Sequence, residues 1–491
     1  MDTVQKIAKN TTVLLTSQVL SYILAFFYMM YIARYLGPAS FGILSFALAF
    51  ISIFAVFSNL GLDILTVREV ARDRSLAMKY LSNVSLIKII LVAITCGLII
   101  LTINLLGYSE ETTRVVYLLI LYLICQSFTQ MICSIFQAFE HMEFIAIGRV
   151  LNATLILCGA IIAIKYNFTV VGFASLYIVS GIIVLGYSFV TIKLKFINQA
   201  LVSAKKAFEF DWSFWKPTIK EALPFGLTGM FGLIYTHIDS VMLSAIQGDA
   251  VVGYYNAAYK LVLVLLFIPS ISGTAIFPSM SKYYSILKVT VKSGIEKYFK
   301  YMIILGIPIG IGTTLLAKRF IVLAFGFEYL YSITALQILI WTAVLTFAGA
   351  PFVKLLESAN KQGIVARVSG ICMIVNIILN LLLIPEYSYI GASVATVITE
   401  IVLVFSIIII AHRIGYGIPL ERLIRYILKV AVASLVMAVF IWNFQYLKLY
   451  LLLPLAILTY SGVLFIIKGF DKEDVSLFKR LIFSPVNKNH V

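Results

Sequence analysis

Apolar stretches of about 18 residues or more recur along the chain from Val13 to Ile467. Each is long enough to cross a hydrocarbon layer of roughly 30 Å as a helix. A helix can cross this layer because its backbone N–H and C=O groups hydrogen-bond to each other. Only 12% of the 491 residues are charged and the mean hydropathy is +1.02, whereas a soluble chain carries about 25% charged residues. The sequence therefore predicts an all-α fold, a polytopic membrane bundle of about fourteen transmembrane helices.

The apolar stretches divide into a first set of six, a second set of six and a final pair. Residues 193–221 separate the two sets and mix lysines with aromatic residues, which predicts an amphipathic helix at the membrane surface. The predicted spans are 12–33, 42–64, 84–106, 115–138, 147–164, 171–192, 222–245, 252–277, 299–317, 332–353, 367–384, 390–411, 427–444 and 449–467.

Lysines and arginines are distributed unevenly between the two sides that these spans define. If the N-terminus is cytoplasmic, 30 of the 38 lysines and arginines lie on the cytoplasmic side, in the two termini and the even-numbered connections between spans. Six lie in connections on the opposite side. Positively charged connections stay in the cytoplasm. We therefore expect a multi-pass protein of the cell (cytoplasmic) membrane with both termini in the cytoplasm. The same distribution explains the net charge of +16 without a nucleic-acid partner.

Two segments of the chain resemble each other at an offset of 211 residues. The segment ARYLGPASFGILSFALAF contains Gly37 and Gly42, and SAIQGDAVVGYYNAAYKL contains Gly248 and Gly253 at the same spacing. A similar offset pairs Arg149 with a later arginine. Six spans separate the copies, so both would start on the same side and enclose a central cavity with alternating access, as in duplicated transporters.

The repeat predicts a domain organisation of two lobes with additions. We assign 1–195 to an N-terminal lobe, 196–221 to the amphipathic linker, 222–412 to a C-terminal lobe, and 413–491 to two extra spans and a cytoplasmic tail.

Few ionisable residues lie within the spans, where a charge costs about 2.5 kcal/mol or more unless it is paired or hydrated. Lys260 and Glu400 lie near the middle of their spans, Asp239 lies closer to the outer surface, and Arg34 lies at the outer end of the first span. We predict that Lys260 and Arg34 bind a head-group phosphate. Alternatively, Lys260 is neutralised by Asp239 or Glu400, and Arg34 only marks the interface.

Asp239 and Glu400 are also candidates for coupling transport to a proton or a sodium ion, and we expect no other cofactor. Among uncharged residues, Gln18, Asn376 and Asn380 are candidates for lining the cavity, although Asn376 and Asn380 share one helix face and could instead bond neighbouring helices.

Other charges lie near the cytoplasmic ends of spans. Asp63 and Arg68, at the end of the second span, are candidates for a cytoplasmic gate. Lys88 is close enough to the end of its span that we expect its ammonium to reach the interface.

The sequence contains no phosphate-binding loop, dinucleotide fingerprint or nucleophile elbow. The four histidines have no spacing typical of a metal site, and the five cysteines lie inside apolar stretches. We therefore expect neither an enzyme nor a metalloprotein.

Three segments resemble one known family: ARYLGPASFGILSFALAF, HIDSVML with GYYNAAYKLV, and NLLLIPEYSYIGASVATVITE. They are similar to the Wzx-type polysaccharide-biosynthesis flippases, which belong with MATE exporters and lipid II flippases in the MOP superfamily. The resemblance implies a V-shaped, two-lobed bundle that moves polyprenyl-pyrophosphate-linked oligosaccharide to the outer leaflet. It implies membrane lipids and a polysaccharide polymerase or ligase as partners.

Two alternatives remain at this point. A cation-coupled multidrug exporter of the MATE type would need acidic groups inside the first six spans, where Asp63 is the one carboxylate and lies near an end. An integral-membrane enzyme of glycan assembly would need a carboxylate or metal motif on a sizeable loop, and the sequence has none.

Overall fold

The computed structural model describes residues 3–197, 211–284 and 288–470 of the chain. Within these ranges the fold is all-α and contains no strand. The α-helices are α1 (Thr3–Ala55), α2 (Leu62–Arg72), α3 (Ala77–Leu105), α4 (Glu110–Ala138), α5 (Met142–Lys165), α6 (Val170–Ile192), α7 (Trp212–Gln247), α8 (Asp249–Leu265), α9 (Phe267–Tyr284), α10 (Lys288–Phe325), α11 (Ser332–Ser358), α12 (Gln362–Ala411), α13 (Leu420–Asn443) and α14 (Leu449–Ile466).

Among the described residues, 12 helical segments are long and apolar enough to cross a membrane. Two of them are double-length helices broken by one residue each: α1 at Gly37, with φ of 71°, and α12 at Ser388, with φ of 53°. Each break lies in a predicted outward turn, next to Pro38 in α1 and after Pro385 in α12. Counted on both sides of these breaks, the helices give fourteen crossings, and the predicted polytopic bundle is confirmed.

The second predicted span, 42–64, is not continuous. Helix α1 ends at Ala55, and the chain turns through Leu60 and Gly61, both with positive φ, before α2 begins. A left-handed pair of residues cannot continue an α-helix. The turn carries Asp63 back toward the neighbouring helices, so this residue is not at the solvated end of a span.

The predicted amphipathic linker is described only at its ends. Lys205, Lys206, Phe208 and Phe210 lie outside the described residues. Asp211 caps the N-terminus of α7, where its carboxylate accepts hydrogen bonds from Ser213 and lies 2.9 Å from the Lys79 ammonium. These bonds, with that from the Ser213 hydroxyl the strongest, hold the pKa of Asp211 at about 2.

The described helices form two compact units. Unit 1 contains Met1–Phe267, Ile321–Ala335 and Ala366–Thr399, and unit 2 contains Ile268–Phe320, Leu336–Val365 and Glu400–Val491. The lobes that we assigned from the repeat remain a prediction.

Unit 2 includes the two extra C-terminal helices, α13 and α14. The Tyr460 hydroxyl on α14 donates to the carbonyl of Ile304 on α10 at 2.8 Å. Arg422 and Tyr426 on α13 both bind the carboxylate of Glu296, also on α10. The extra pair is therefore attached to α10 at several depths.

In unit 1, the two glycine motifs of the repeat pack against each other. A Cβ atom on Gly42 would lie 1.7 Å from the carbonyl oxygen of Asp249, and one on Gly253 would lie 2.0 Å from that of Pro38. Pro38 and Asp249 are themselves related by the offset of 211 residues, so the contact is reciprocal, as at a two-fold axis. Helices α1 and α8 thus touch backbone to backbone through equivalent residues.

We expect Gly42→Ala to destabilise the protein by about 1–3 kcal/mol, because its methyl group cannot be accommodated without separating α1 from α8. Thermal unfolding of the purified protein in detergent measures the effect. The matched control is Gly97→Ala on α3, where a Cβ atom would meet nothing within 4 Å. Equal melting temperatures for the two variants would contradict the close packing.

Candidate functional site

Unit 1 encloses a cavity of about 520 Å³ that is bounded by α1, α2, α3, α4, α6, α7 and α8. Its wall is mixed, because polar side chains interrupt apolar ones on nearly every helix. The polar and charged residues of the wall are Tyr28, Ser52, Ser58, Asn59, Asp63, Lys88, Tyr122, Gln126, Ser127, Gln130, Tyr177, His237 and Lys260. Such a surface can hydrogen-bond a polar head group while its apolar portions stay dry.

Lys260 lies in the wall of this cavity. It is the twelfth residue of α8, about 16 Å along the helix from its start at Asp249. Among the described residues of unit 1 it has no hydrogen bond or carboxylate partner, and it is close enough to His237, also on the wall, for the two side chains to interact electrostatically. An ammonium without a counter-ion at this depth needs water or an anionic ligand.

Asp239 does not neutralise Lys260. Its carboxylate is 3% exposed and accepts three hydrogen bonds: from the Tyr255 hydroxyl at 2.6 Å, the Asn380 amide at 2.6 Å and the Thr396 hydroxyl at 2.7 Å. All of these donors are neutral. The alternative in which Asp239 pairs with Lys260 is therefore not what this structure contains.

Asn376 and Asn380 belong to the same cluster as Asp239. They are fully buried, and the Asn380 amide also donates to the Asn376 side-chain oxygen at 3.0 Å. The predicted shared helix face is present, but neither residue is part of the cavity wall. Among the described residues, the buried side-chain oxygen of Asn380 accepts no hydrogen bond.

Arg34 and Gln18 are also absent from the cavity wall. The Arg34 guanidinium donates to the carbonyl oxygens of Leu323 and Val322, at 2.6 and 3.1 Å, in the last turn of α10. A cation there binds the exposed carbonyls of a helix C-terminus. Gln18 donates to the Tyr22 hydroxyl one turn further along α1.

Glu400 lies in unit 2. Its carboxylate accepts a hydrogen bond of 2.7 Å from the Thr346 hydroxyl on α11. It is 8% exposed, so it is a buried acid as the sequence predicts.

Lys88 does not reach the interface as we expected. Its side chain is fully buried, its ammonium lies 2.8 Å from one Asp63 carboxylate oxygen and 3.0 Å from the other, and it donates to the carbonyl of Ser127. The expectation was wrong because the turn before α2 places Asp63 opposite α3. The pair is part of the cavity wall, where the two charges neutralise each other.

Arg68 connects α2 to α7. Its guanidinium forms ion pairs with Glu221 on α7 and with Glu69, and it lies 5.6 Å from the centre of the Phe225 ring. Beside this contact the backbones nearly touch, since a Cβ atom on Gly226 would lie 2.5 Å from the Leu60 carbonyl carbon. The ion pair therefore joins α2 to α7, and the backbone packing joins α7 to the turn that precedes α2.

Sequence reasoning singled out Lys260 and Asp63, but it did not assign the tyrosines of the wall. Tyr28, Tyr122 and Tyr177 lie on three different helices and enter one cavity. Tyrosine is amphipathic and is also common at membrane interfaces. The positions of these three tyrosines in the sequence therefore do not distinguish a cavity wall from an interface. The glutamines of α4 are a clearer signal, because Gln126 and Gln130 are one turn apart.

Comparison with curated proteins finds relatives of low identity. The chain is 26% identical over 290 residues to the uncharacterized membrane protein MJ1068 of Methanocaldococcus jannaschii, covering 56% of this chain and 55% of that protein. It is 24% identical over 215 residues to the probable low-salt glycan biosynthesis flippase Agl15 of Haloferax volcanii, covering 44% and 45%. The matches thus span about half the length of these two relatives.

A longer match is to the capsular polysaccharide biosynthesis protein CapF of Staphylococcus aureus, 25% identical over 405 residues, or 81% of this chain and 97% of that protein. Among solved structures, the lipid II flippase MurJ in an inward closed conformation superposes with a TM-score of 0.75 at 18% identity. The superposition covers 95% of this chain and 98% of that one, and it shows a shared fold.

The sequence model of one family, described as polysaccharide biosynthesis protein, matches residues 7–284. This range is more than half of the chain and includes most of the helices that form the cavity. The chain is a multi-pass membrane protein that belongs to the polysaccharide biosynthesis protein family.

Proposed function

We propose that this protein is a flippase that moves a polyprenyl-pyrophosphate-linked oligosaccharide from the cytoplasmic to the outer leaflet by alternating access. The observation that carries the proposal is Lys260, an ammonium without a counter-ion in a cavity with hydroxyl and amide groups. A pyrophosphate supplies the anion and a glycan supplies hydrogen-bonding partners for the amides. Membership of the polysaccharide biosynthesis family supports this substrate class.

A multidrug exporter for cations is less consistent with the cavity. Such an exporter needs an available carboxylate, and the carboxylate of the wall, Asp63, is already neutralised by Lys88. The unpaired charge of the wall is positive and would repel a cationic drug. The protein acts as a transporter in this proposal, and a glycan polymerase or ligase would be a separate partner.

The proposal places the protein in the cell membrane with both termini in the cytoplasm. The uneven distribution of lysines and arginines supports this orientation. In this orientation the Arg68–Glu221 contact lies on the cytoplasmic side and the reciprocal contact at Gly42 and Gly253 on the outer side. Each would have to separate once in a transport cycle.

Energy for the cycle would come from a coupling ion at the cluster around Asp239. A carboxylate, two amides and two hydroxyls converge there, and oxygen ligands of this kind suit a sodium ion, while the carboxylate alone could carry a proton. Glu400 is a second buried acid in the other unit. We propose the Asp239 cluster because the buried Asn380 oxygen, which accepts no hydrogen bond among the described residues, is one more oxygen available to a cation.

Lys260→Ala should reduce transport at least tenfold while leaving the protein in the membrane, and Lys260→Arg should retain much of it. The measurement is leaflet-selective labelling of lipid-linked oligosaccharides in a strain that lacks the gene and carries each variant. Lys165→Ala, which removes an exposed lysine at the end of α5, is the control. Normal glycolipid distribution in the deletion strain would refute the proposed function.

A reducible cross-link between Arg68→Cys and Glu221→Cys, formed by a bis-methanethiosulfonate reagent that spans the two side-chain positions, should abolish transport, because it prevents α2 from leaving α7. The same leaflet assay is run after cross-linking and again after reduction, which should restore transport. Each single cysteine variant treated with the reagent is the control. Full transport by the cross-linked protein would show that this contact does not open.

Asp239→Asn should remove the dependence of transport on an ion gradient, because the amide cannot exchange a proton and holds a cation weakly. Proteoliposomes with an imposed sodium or pH gradient give the measurement. Ser393→Ala, a change at a buried hydroxyl of α12 that bonds only the Tyr389 carbonyl among the described residues, is the control. An unchanged response of Asp239→Asn to both gradients would exclude the cluster as the coupling site.

A further inference from the structure

A second, smaller recess of about 200 Å³ lies beside the cavity in unit 1. It is formed by α4, α5 and α6. Gln126 and Gln130 line both the recess and the cavity, so they form a shared boundary between the two spaces. A bulky ligand in the cavity could therefore extend into the recess past these side chains.

Arg149 lines this recess. It lies seven residues after the start of α5 at Met142, about 10 Å along the helix, which places it inside the span. Among the described residues the structure contains no ion pair or hydrogen bond to its guanidinium, in contrast to Arg34, Arg68 and Arg422, each of which has one. Arg149 is exposed and is the third residue of the predicted span 147–164, so its guanidinium can be hydrated, and it lines a recess whose wall contains no carboxylate, so it is available to an anionic ligand.

The rest of the recess wall is uncharged and combines polar side chains with the apolar Ile145 and Val184. Three amides, Gln126, Gln130 and Asn152, accompany the hydroxyls of Thr129 and Ser188, and no carboxylate is part of the recess wall. Gln126 is already bonded to the Tyr122 hydroxyl at 2.5 Å, whereas Gln130 is exposed and has no such bond among the described residues. The wall thus offers one cation and at least one unused amide.

We propose that this recess is a second binding subsite, which holds an oxyanion of the transported head group through Arg149 and neighbouring sugar hydroxyls through the amides. This inference rests on the proposed function and goes beyond it, because it adds a binding point distinct from Lys260. The oxyanion is either a phosphate of the lipid link or the carboxylate of an acidic sugar. Arginine suits both, because its planar guanidinium binds such groups with two parallel hydrogen bonds.

Two cationic points would fix the head group more specifically than one. Lys260 lies on α8 and Arg149 on α5, in the walls of adjoining spaces. A ligand that reaches both must carry its negative charges, or its charge and its hydroxyls, at a matching separation. The recess would in this way select among glycans that share the same lipid carrier.

The experiment measures binding of three probes to the purified full-length protein in nanodiscs: farnesyl pyrophosphate, digalacturonic acid and, as a neutral comparison, maltose. The variants are Arg149→Gln, Arg149→Lys, Gln130→Ala and Lys260→Gln. Lys165→Gln, which removes a charge at the opposite end of α5, is the matched control. Melting temperatures of all variants are measured in parallel, and Gln130→Ala, which breaks no hydrogen bond among the described residues, tests the recess if Arg149→Gln fails to fold.

We expect Arg149→Gln to weaken binding of at least one anionic probe by about tenfold or more, with Arg149→Lys intermediate and the control unchanged. Weakening for farnesyl pyrophosphate alone assigns the recess to the lipid-linked phosphate, and weakening for digalacturonic acid alone assigns it to an acidic sugar. If Arg149→Gln and Gln130→Ala bound both anionic probes with native affinity while Lys260→Gln lost binding, the subsite would be overturned. The proposed function would remain intact. Absence of binding by the native protein would overturn both.

Discussion

The cost of a charge within the membrane determines how the polar residues of this protein are arranged. A buried cation or carboxylate without compensation costs several kcal/mol, so each must be paired, hydrogen-bonded or in contact with a polar cavity. Lys88 and Asp63 follow the first solution, with a full ion pair at 2.8 Å. Asp239 follows the second, with three neutral donors. Lys260 and Arg149 follow the third, since both line open spaces without a partner among the described residues.

This sorting separates structural charges from candidate functional ones. An ion pair such as Lys88–Asp63 holds α2 against α3 and presents no net charge to the cavity. Arg34 satisfies the end of α10 and is similarly engaged. The charges that remain available to a ligand, those of Lys260 and Arg149, are positive. Amides and hydroxyls accompany them, which is consistent with an anionic, sugar-rich substrate.

The number of membrane crossings was predictable because hydropathy reports directly on them, whereas the end of the second crossing at Ala55 was not. The turns at Gly37 and Ser388 were also placed correctly, since polar and small residues interrupt the apolar pattern there. The pairing of side chains was not predictable. Lys88 was misplaced because its distance along the chain from the end of a span says nothing about a partner on α2. Arg149 entered only through its place in the repeat, because its recess requires three helices to be positioned first.

The reciprocal contact between the two glycine motifs has a consequence for how the helices can separate. Each half of the contact joins α1 and α8 through the same pair of equivalent positions, Gly42 against Asp249 and Gly253 against Pro38. Neither half can lengthen while the other stays closed unless a helix bends, because both lie on the same two rigid segments. Parting of α1 from α8 is therefore expected to be concerted, so that the two equivalent contacts open and close together.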